Sequence, residues 1–316
     1  MIEQKPFVSM LYELTELIKL FIFFIQEYGV ASALLKTFIW VAIITFPPRR
    51  DTIVRLRNGY KLSVIPNDIG ISSELRLFNT HEPLATKVMS DELSRGMVVV
   101  DIGSNIGYYV TLESKMVKSE GRVVAVEPDP INFSYLLKNI TLNGLNNVTV
   151  VNKAITDRDG TVKFIRRRRS NLSKVLENDQ DLAFSDITNI IQVQAVTLDN
   201  LIEQLGLERL DLIRMDIEGY EAQIINASEN ILKKYSPDLF IEIHQFLIGR
   251  KSCKNLLRKI NSMGYYIKHF IPRNIDFELL YHDHNTSSKD IGELLHGPTP
   301  DVFSIYLTTC LNKSRS

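Results

Sequence analysis

Five short apolar runs in this chain each end in residues that can bind or react. The run at 97–102 leads into Asp101-Ile-Gly103-Ser104-Asn105-Ile-Gly107, and the run at 122–126 into Glu127-Pro128. The run at 147–151 ends in Asn152-Lys-Ala154, the run at 210–215 in Asp216-Ile-Glu218-Gly219, and the run at 239–243 carries Glu242 and His244. In open α/β sheets, ligands bind outside the carboxyl ends of the strands, near the point where strand order reverses. Polar residues directly after apolar runs are therefore the first candidates for chemistry.

Gly103 and Gly107 let backbone approach a ligand closely, and the start of the following helix can hold a carboxylate or phosphate. By itself that loop also reads as a plain strand-to-helix turn. Glu127 lies 24 residues after Gly103, the place and spacing of an acid that hydrogen-bonds a ribose diol. Alone it reads as a helix-start residue beside Pro128, but loop and acid together favour a nucleoside. Asn105 and Tyr108 occupy the second and third glycine positions of the G-x-G-x-x-G dinucleotide fingerprint. The second glycine admits a pyrophosphate, so its absence argues against NAD or FAD. A nucleoside with a carboxylate and no phosphate, such as S-adenosylmethionine, fits better. The segment at Asn152 and Ala154 would flank the adenine edge.

Asp216 and Glu218 are costly to bring together unless they serve a ligand, a cation or a base, or cap a helix. His244 titrates near neutrality and suits a general base, although a histidine after a buried strand is as often simply packed. His244 and Asp216 are both candidates for the base, with His244 the better matched to that role. Asp216 with Glu218 and Glu242 offers a second reading, a divalent cation that lowers a hydroxyl pKa, which the sequence does not specifically indicate.

These residues need a frame. Strand and helix patterns alternate from residue 97 to residue 151, as in βαβ units of a doubly wound parallel sheet. Helices are predicted over 108–117, 130–143 with Gly144 as the stop, 198–205, 220–234 and 253–263. Strands at 161–165 and 190–196 flank a polar insertion, and strands at 265–269 and 303–308 close the sheet. Asn58-Gly59 between alternating apolar residues predicts a hairpin. Residues 67–95 are mixed, with a helix from Glu82. The polar stretch at 282–300 reads as a loop that can act as a lid.

Residues 1–50 form an apolar, helical amino-terminal extension to a domain spanning 51–310. An amphipathic helix over 7–25 and an apolar helix over 30–46 are followed by Pro47-Pro48 and Arg49-Arg50. Acidic residues inside the first apolar stretch argue against a signal peptide. Packing on the domain or a second chain, lying in a membrane interface, and spanning a membrane all stay open for residues 7–46.

The chain has 316 residues, with 37 Lys+Arg and 37 Asp+Glu, so the formal net charge is zero. That gives no reason to expect nucleic-acid binding. Two cysteines, Cys253 and Cys310, cannot build a disulfide framework or a zinc site, which favours a reducing, cytoplasmic setting, with membrane association left open. Arg166 to Arg169 is either a solvated run or a clamp for phosphate or anionic lipid.

VVVDIGSNIGYY, VVAVEPDP with the following NI-x-x-N, VTLDNLIEQ, LDLIRMDIEGYE and FIEIH together resemble the FkbM family of S-adenosylmethionine-dependent methyltransferases. The resemblance covers about residues 53–245. It implies an α/β, Rossmann-like class I methyltransferase fold, a seven-stranded, mostly parallel sheet with an antiparallel last strand. It implies methylation of a hydroxyl oxygen on a sugar, lipid or small metabolite. It assigns Asp101, Gly103, Ser104, Asn105 and Gly107 to the cofactor loop, Glu127 with Pro128 to the ribose, and Asn152 and Ala154 to the adenine side. Asp216 and Glu218 match the DxEG motif beside the methyl group, with Asp216 counted also toward the cofactor, and Glu242 and His244 match an E-x-H strand end. Asp216, Glu218 and His244 are the catalytic candidates. The expected partners are a small-molecule, glycan or lipid acceptor and no nucleic acid. The competing classes are a nicotinamide oxidoreductase, disfavoured by Asn105 and Tyr108, and a non-catalytic nucleoside-binding or membrane-recruiting module. Nucleic-acid N-methylation lacks its N/D-P-P-Y/F motif after the fourth strand.

Overall fold

The valine- and isoleucine-rich runs are apolar on both faces, as strands covered by helices on two sides must be. The computed structural model describes residues 48–177, 186–273 and 290–309 throughout, together with 21, 25, 29–31, 33–43, 45–46 and 181–182. Helix α1 (residues 33–43) sets Ala33 and Trp40, with Phe21 and Ile25, against Leu77 and Phe78. Its other side exposes Leu34, Leu35 and Phe38. The hairpin β1 (Thr52–Arg55) and β2 (Lys61–Val64) turns at Gly59, whose φ of 87° only glycine adopts freely. Helices α2 (Ile71–Phe78) and α3 (Pro83–Glu92) lead into the central sheet.

The first half of the sheet is β3 (Val98–Ile102), α4 (Tyr108–Val117), β4 (Arg122–Val126), α5 (Pro130–Asn143) and β5 (Val148–Val151). Helix α5 starts where Asp129 accepts from the N–H groups of Ile131 and Asn132, with Pro130 at its first position, and stops at left-handed Gly144. An insertion follows: β6 (Ala154–Ile155), β7 (Gly160–Arg167), β8 (Lys174–Val175) and β9 (Ile187–Val196) form their own sheet in the order β6-β9-β7-β8. The second half runs α6 (Leu198–Gln204), β10 (Leu212–Met215), α7 (Glu221–Ala227), α8 (Glu229–Tyr235), β11 (Asp238–His244), α9 (Gln245–Ile248) and α10 (Arg250–Ser262). It closes with β12 (Tyr265–Arg273), α11 (Ile291–His296) and β13 (Val302–Thr309).

The seven strands lie in the order β12-β13-β11-β10-β3-β4-β5. Of the seven strands, β13 alone points opposite to the other six. The fold is therefore the α/β, Rossmann-like class I methyltransferase sheet, with its last strand in sequence reversed. Alternate residues serve opposite faces: Val99, Leu212 and Phe240 pack in one core, and Val100, Ile213 and Ile241 in the other. From β3 the chain steps to β4 and β5, then returns to place β10 and β11 on the other side, so the switch point lies between β3 and β10.

Some elements differ from the sequence reading. The helix expected over 220–234 is two, broken at Ser228. Helix α2 falls in the stretch that read as mixed, and α11 inside the one that read as a loop. Residues 282–289 of the proposed lid, Cys310 and all but Phe21 and Ile25 of the helix expected over 7–25 lie outside the described residues. Among the described residues, no helix is long and apolar enough to cross a membrane.

Candidate active site

A hollow of about 790 Å³ opens at the carboxyl ends of β3, β4 and β10. Of the predicted residues, Gly103, Ser104, Asn105, Glu127, Pro128, Ala154 and Asp216 line it. Asp101, Gly107, Asn152, Glu218 and His244 are not among its lining residues.

The first loop is held tightly. Gly103 has φ 86°, and a Cβ there would lie 2.1 Å from the backbone oxygen of Asp216, so any side chain would push apart the ends of β3 and β10. Asn105 takes the left-handed conformation at φ 50°, which asparagine tolerates better than most residues. Its N–H donates to Glu127 Oε2 at 2.8 Å. Gly107 touches protein rather than the hollow: a Cβ there would meet Leu136 Cδ1 at 2.7 Å. Asn152 is a brace as well, donating from Nδ2 to the carbonyl oxygens of Glu127 and Pro128.

Glu127 Oε1 accepts from the N–H of Asp129 at 2.8 Å. Burial pushes its carboxyl up to about 8, against the downward pull of the Asp129 and Asn105 N–H groups. Oε1 also accepts from Asn132 Nδ2 in a long bond of 3.5 Å, so Oε2 keeps lone-pair capacity for one hydroxyl and Oε1 takes a second by displacing Asn132. The two asparagines of NI-x-x-N secure the hairpin beside this region. Asn139 bonds both backbone groups of Ser63 and the carbonyl of Ile106, while Asn143 bonds both backbone groups of Lys61. Four residues of helix rise about 6 Å and two of strand about 6.6 Å, so one helix face can meet alternate strand residues.

Sequence reasoning missed Arg214, inside β10. It donates to Asp101 Oδ1 at 2.8 Å and to Asp216 Oδ2 at 3.1 Å, and its guanidinium lies 4.0 Å from the ring centroid of Tyr109. An arginine inside an otherwise apolar strand requires a buried counter-charge, and that was the available signal. His81, Glu82 and Tyr109 were missed too. His81 faces Glu74 at 2.7 Å and Glu82 at 3.0 Å, and Tyr109 donates to Glu82 at 2.8 Å. Burial disfavours a charge on His81, but Glu74 and Glu82 together hold its pKa well above the usual value.

Asp216 is raised well above the ordinary carboxylate range, first by burial and then by the neighbouring Glu242. His244 is enclosed by acids. Its Nδ1 lies 3.0 Å from Glu221, and its Nε2 lies 3.3 Å from Glu218 and 3.6 Å from Glu242. Burial opposes the imidazolium, yet Glu218 and the other acids raise its pKa well above the usual value. Glu82 and Glu218 sit in the left-handed region at φ 43° and 56°, strain of the kind found at functional sites. Asp216, Glu218 and His244 each bring a donor atom within 4.8 Å of the others, as do Glu82, Asp216 and Glu242. Either trio has the composition to hold a divalent cation.

The arginine run is divided. Arg166 pairs with Asp129 and Arg167 with Asp186, leaving Arg168 and Arg169 exposed.

The family model described as Methyltransferase FkbM domain matches residues 101–267, more than half of the chain. The chain belongs to the FkbM methyltransferase family. The chain is also similar to curated proteins. Hexuronic acid methyltransferase AglP of Haloferax volcanii is 22% identical over 205 residues, 65% of this chain and 79% of that protein. The 2-O-methyltransferase NoeI of Sinorhizobium fredii is 27% identical over 154 residues, 43% of this chain and 59% of NoeI. A tRNA(Phe) (4-demethylwyosine(37)-C(7)) aminocarboxypropyltransferase of Methanocaldococcus jannaschii is 28% identical over 146 residues, 45% of this chain and 56% of that enzyme. The chain thus spans little more than half the length of the last two. The solved methyltransferase FkbM from Methylobacillus flagellatus KT is 18% identical with a TM-score of 0.41, over 67% of this chain and 44% of that one.

Proposed function

We propose that this FkbM-family chain is an S-adenosylmethionine-dependent methyltransferase acting on a hydroxyl oxygen of a sugar, glycolipid or small metabolite, through a domain spanning 51–310 with residues 1–50 as an extension. The observation that carries the reading is the union of Glu127, the Gly103 turn and Asp216 around one hollow at the switch point. The donor set suits the cofactor: a buried acid for a ribose diol, small Ala154 beside an adenine, and a tight glycine turn for an amino-acid tail. When bound there, S-adenosylmethionine supplies an electrophilic methyl group.

The chain's own residues do the rest. Glu127 orients the ribose through both carboxylate oxygens. Arg214 holds Asp216 in place from the floor of the hollow. Asp216 accepts the proton of the acceptor hydroxyl, because it is the carboxylate that lines the hollow at the end of β10, and its burial beside Glu242 makes it more basic than an ordinary carboxylate. His244 is a positioning residue: with both nitrogens facing carboxylates it stays protonated and holds Glu218 and Glu242 behind Asp216. Positioning acceptor and donor supplies most of the acceleration.

The sugar-acting names among the relatives support the hydroxyl reading, and the zero net charge weighs against RNA. The test is transfer of tritium from methyl-labelled S-adenosylmethionine to glycan, lipid and RNA extracts. Base-stable label in the glycan or lipid fraction, lost with Asp216→Asn, is expected. Label only in RNA, or none in any fraction, contradicts the proposal.

A further inference from the structure

A second hollow, of about 820 Å³, adjoins the first. Lys174 lines both, and the loop that begins at Asp216 in the first hollow continues to Gly219 in the second. A Cβ on Gly219 would lie 3.1 Å from Leu247 and 3.4 Å from Lys174 Nζ, so glycine keeps this junction narrow.

The lining has a distinct chemistry. Helix α7 contributes Gln223 and Asn226, and α10 contributes Ser252 and Asn255. Asn226, Ser252 and Asn255 are exposed, so they can meet a ligand without unfolding anything. Amides and hydroxyls both donate and accept, the pattern that neighbouring sugar hydroxyls present in return. The half-buried Leu247 adds aliphatic surface suited to the C–H face of a pyranose. Among the described residues the charged groups of the lining are Lys174, Glu177 and Asp181, one cation against two carboxylates. Lys174 is buried and already paired with Asp181 at 2.9 Å. A phosphate or an RNA backbone would meet net repulsion here.

We propose that this second hollow is the remote acceptor subsite, taking an uncharged glycosyl unit next to the one whose hydroxyl enters the first hollow. The assignment rests on the methyl-transfer reading and adds to it a place and a class of ligand. It makes the insertion that carries Lys174 and Glu177 a wall of the acceptor site. Selectivity then lies in Asn226 and Asn255, away from Asp216 and Glu127.

The test is saturation-transfer NMR on the full chain with saturating S-adenosylhomocysteine. The probes are N,N′-diacetylchitobiose, methyl mannobioside and uridine 5′-monophosphate. At least one disaccharide should give signal, reduced five-fold or more in the double variant Asn226→Ala, Asn255→Ala. Calorimetric affinity for S-adenosylhomocysteine should agree with wild type within two-fold. No disaccharide signal, an equal signal in the double variant, or loss of a nucleotide signal in its place overturns the subsite. Absence of S-adenosylhomocysteine binding to the wild type overturns the underlying reading instead, so the two failures are distinguishable.

Discussion

The backbone N–H of Asn105 donates to Oε2 of Glu127 at 2.8 Å and ties the turn after β3 to the acid that ends β4. The bond leaves Glu127 aimed at the hollow, buried, with its pKa raised to about 8. A diol donates two hydrogen bonds to the carboxylate and fewer to the protonated acid, so binding releases that proton. Affinity for S-adenosylhomocysteine should therefore rise about five-fold from pH 7 to 8 and less than about two-fold from 8 to 9. Calorimetry at three pH values reads this directly. Stability has the opposite slope. The folded pKa lies above the unfolded value of about 4.3, so the folded state binds more protons in between, and stability falls as pH rises from about 4.3 to 8. Thermal melts of Glu127→Gln should show a shallower slope across that window than wild type.

Asn139 is a fully buried amide that serves Ser63 and Ile106 at once. Asn139→Ala strands three backbone groups away from water, which should cost about 2 to 4 kcal/mol. Asn143 makes similar bonds where water can replace them, so Asn143→Ala should cost under about 1 kcal/mol. Urea titrations compare the two, and equal losses would remove the hairpin-clamp reading.

Arg214 is the one guanidinium that Asp101 and Asp216 share. Arg214→Met leaves both acids without it and should lower stability by about 3 to 5 kcal/mol. Adding Asp101→Asn should recover part of that loss, since the neutral amide is cheaper to bury. Chemical denaturation of the single and double variants checks the coupling, and strict additivity would contradict it.

Asp216 and His244 separate by their pH profiles. Asp216→Asn should lower turnover about 10²- to 10⁴-fold and abolish the acidic limb of the pH–rate profile. His244→Asn should keep that limb and lose mainly stability, because it removes the cation held between Glu218 and Glu221. Dialysis against EDTA should leave wild-type turnover intact. A loss restored by magnesium would make Asp216 a metal ligand rather than a base.

The sheet was legible because buried parallel strands are continuous apolar runs: β4 and α4 fall on the predicted residues. Helix α2 was not, since it is only eight residues long and begins at Gly70, which offers no side-chain cap. The break at Ser228 escaped because α7 and α8 share a continuous helical pattern. At the site, residues on strand ends were found and those brought from elsewhere were not. His81 reaches the hollow, and Glu82 comes near Asp216 and Glu242, through the fold of α2 and α3, and no local pattern marks them. His244 shows the limit of reasoning by residue type: its position at the strand end and its neighbour Glu242 on the same strand were right, but Glu218 and Glu221, from the loop after β10 and the start of α7, are brought to its ring only by the fold.

The most direct measurement is calorimetric titration of S-adenosylhomocysteine into wild type and Glu127→Ala at pH 8. One site per chain is expected, with affinity reduced about 10²- to 10⁴-fold in the variant, as for two lost hydrogen bonds to a charged group at about 1.5 to 3 kcal/mol each. No binding to the wild type, or the same affinity in both proteins, would contradict the assignment of this hollow to the cofactor.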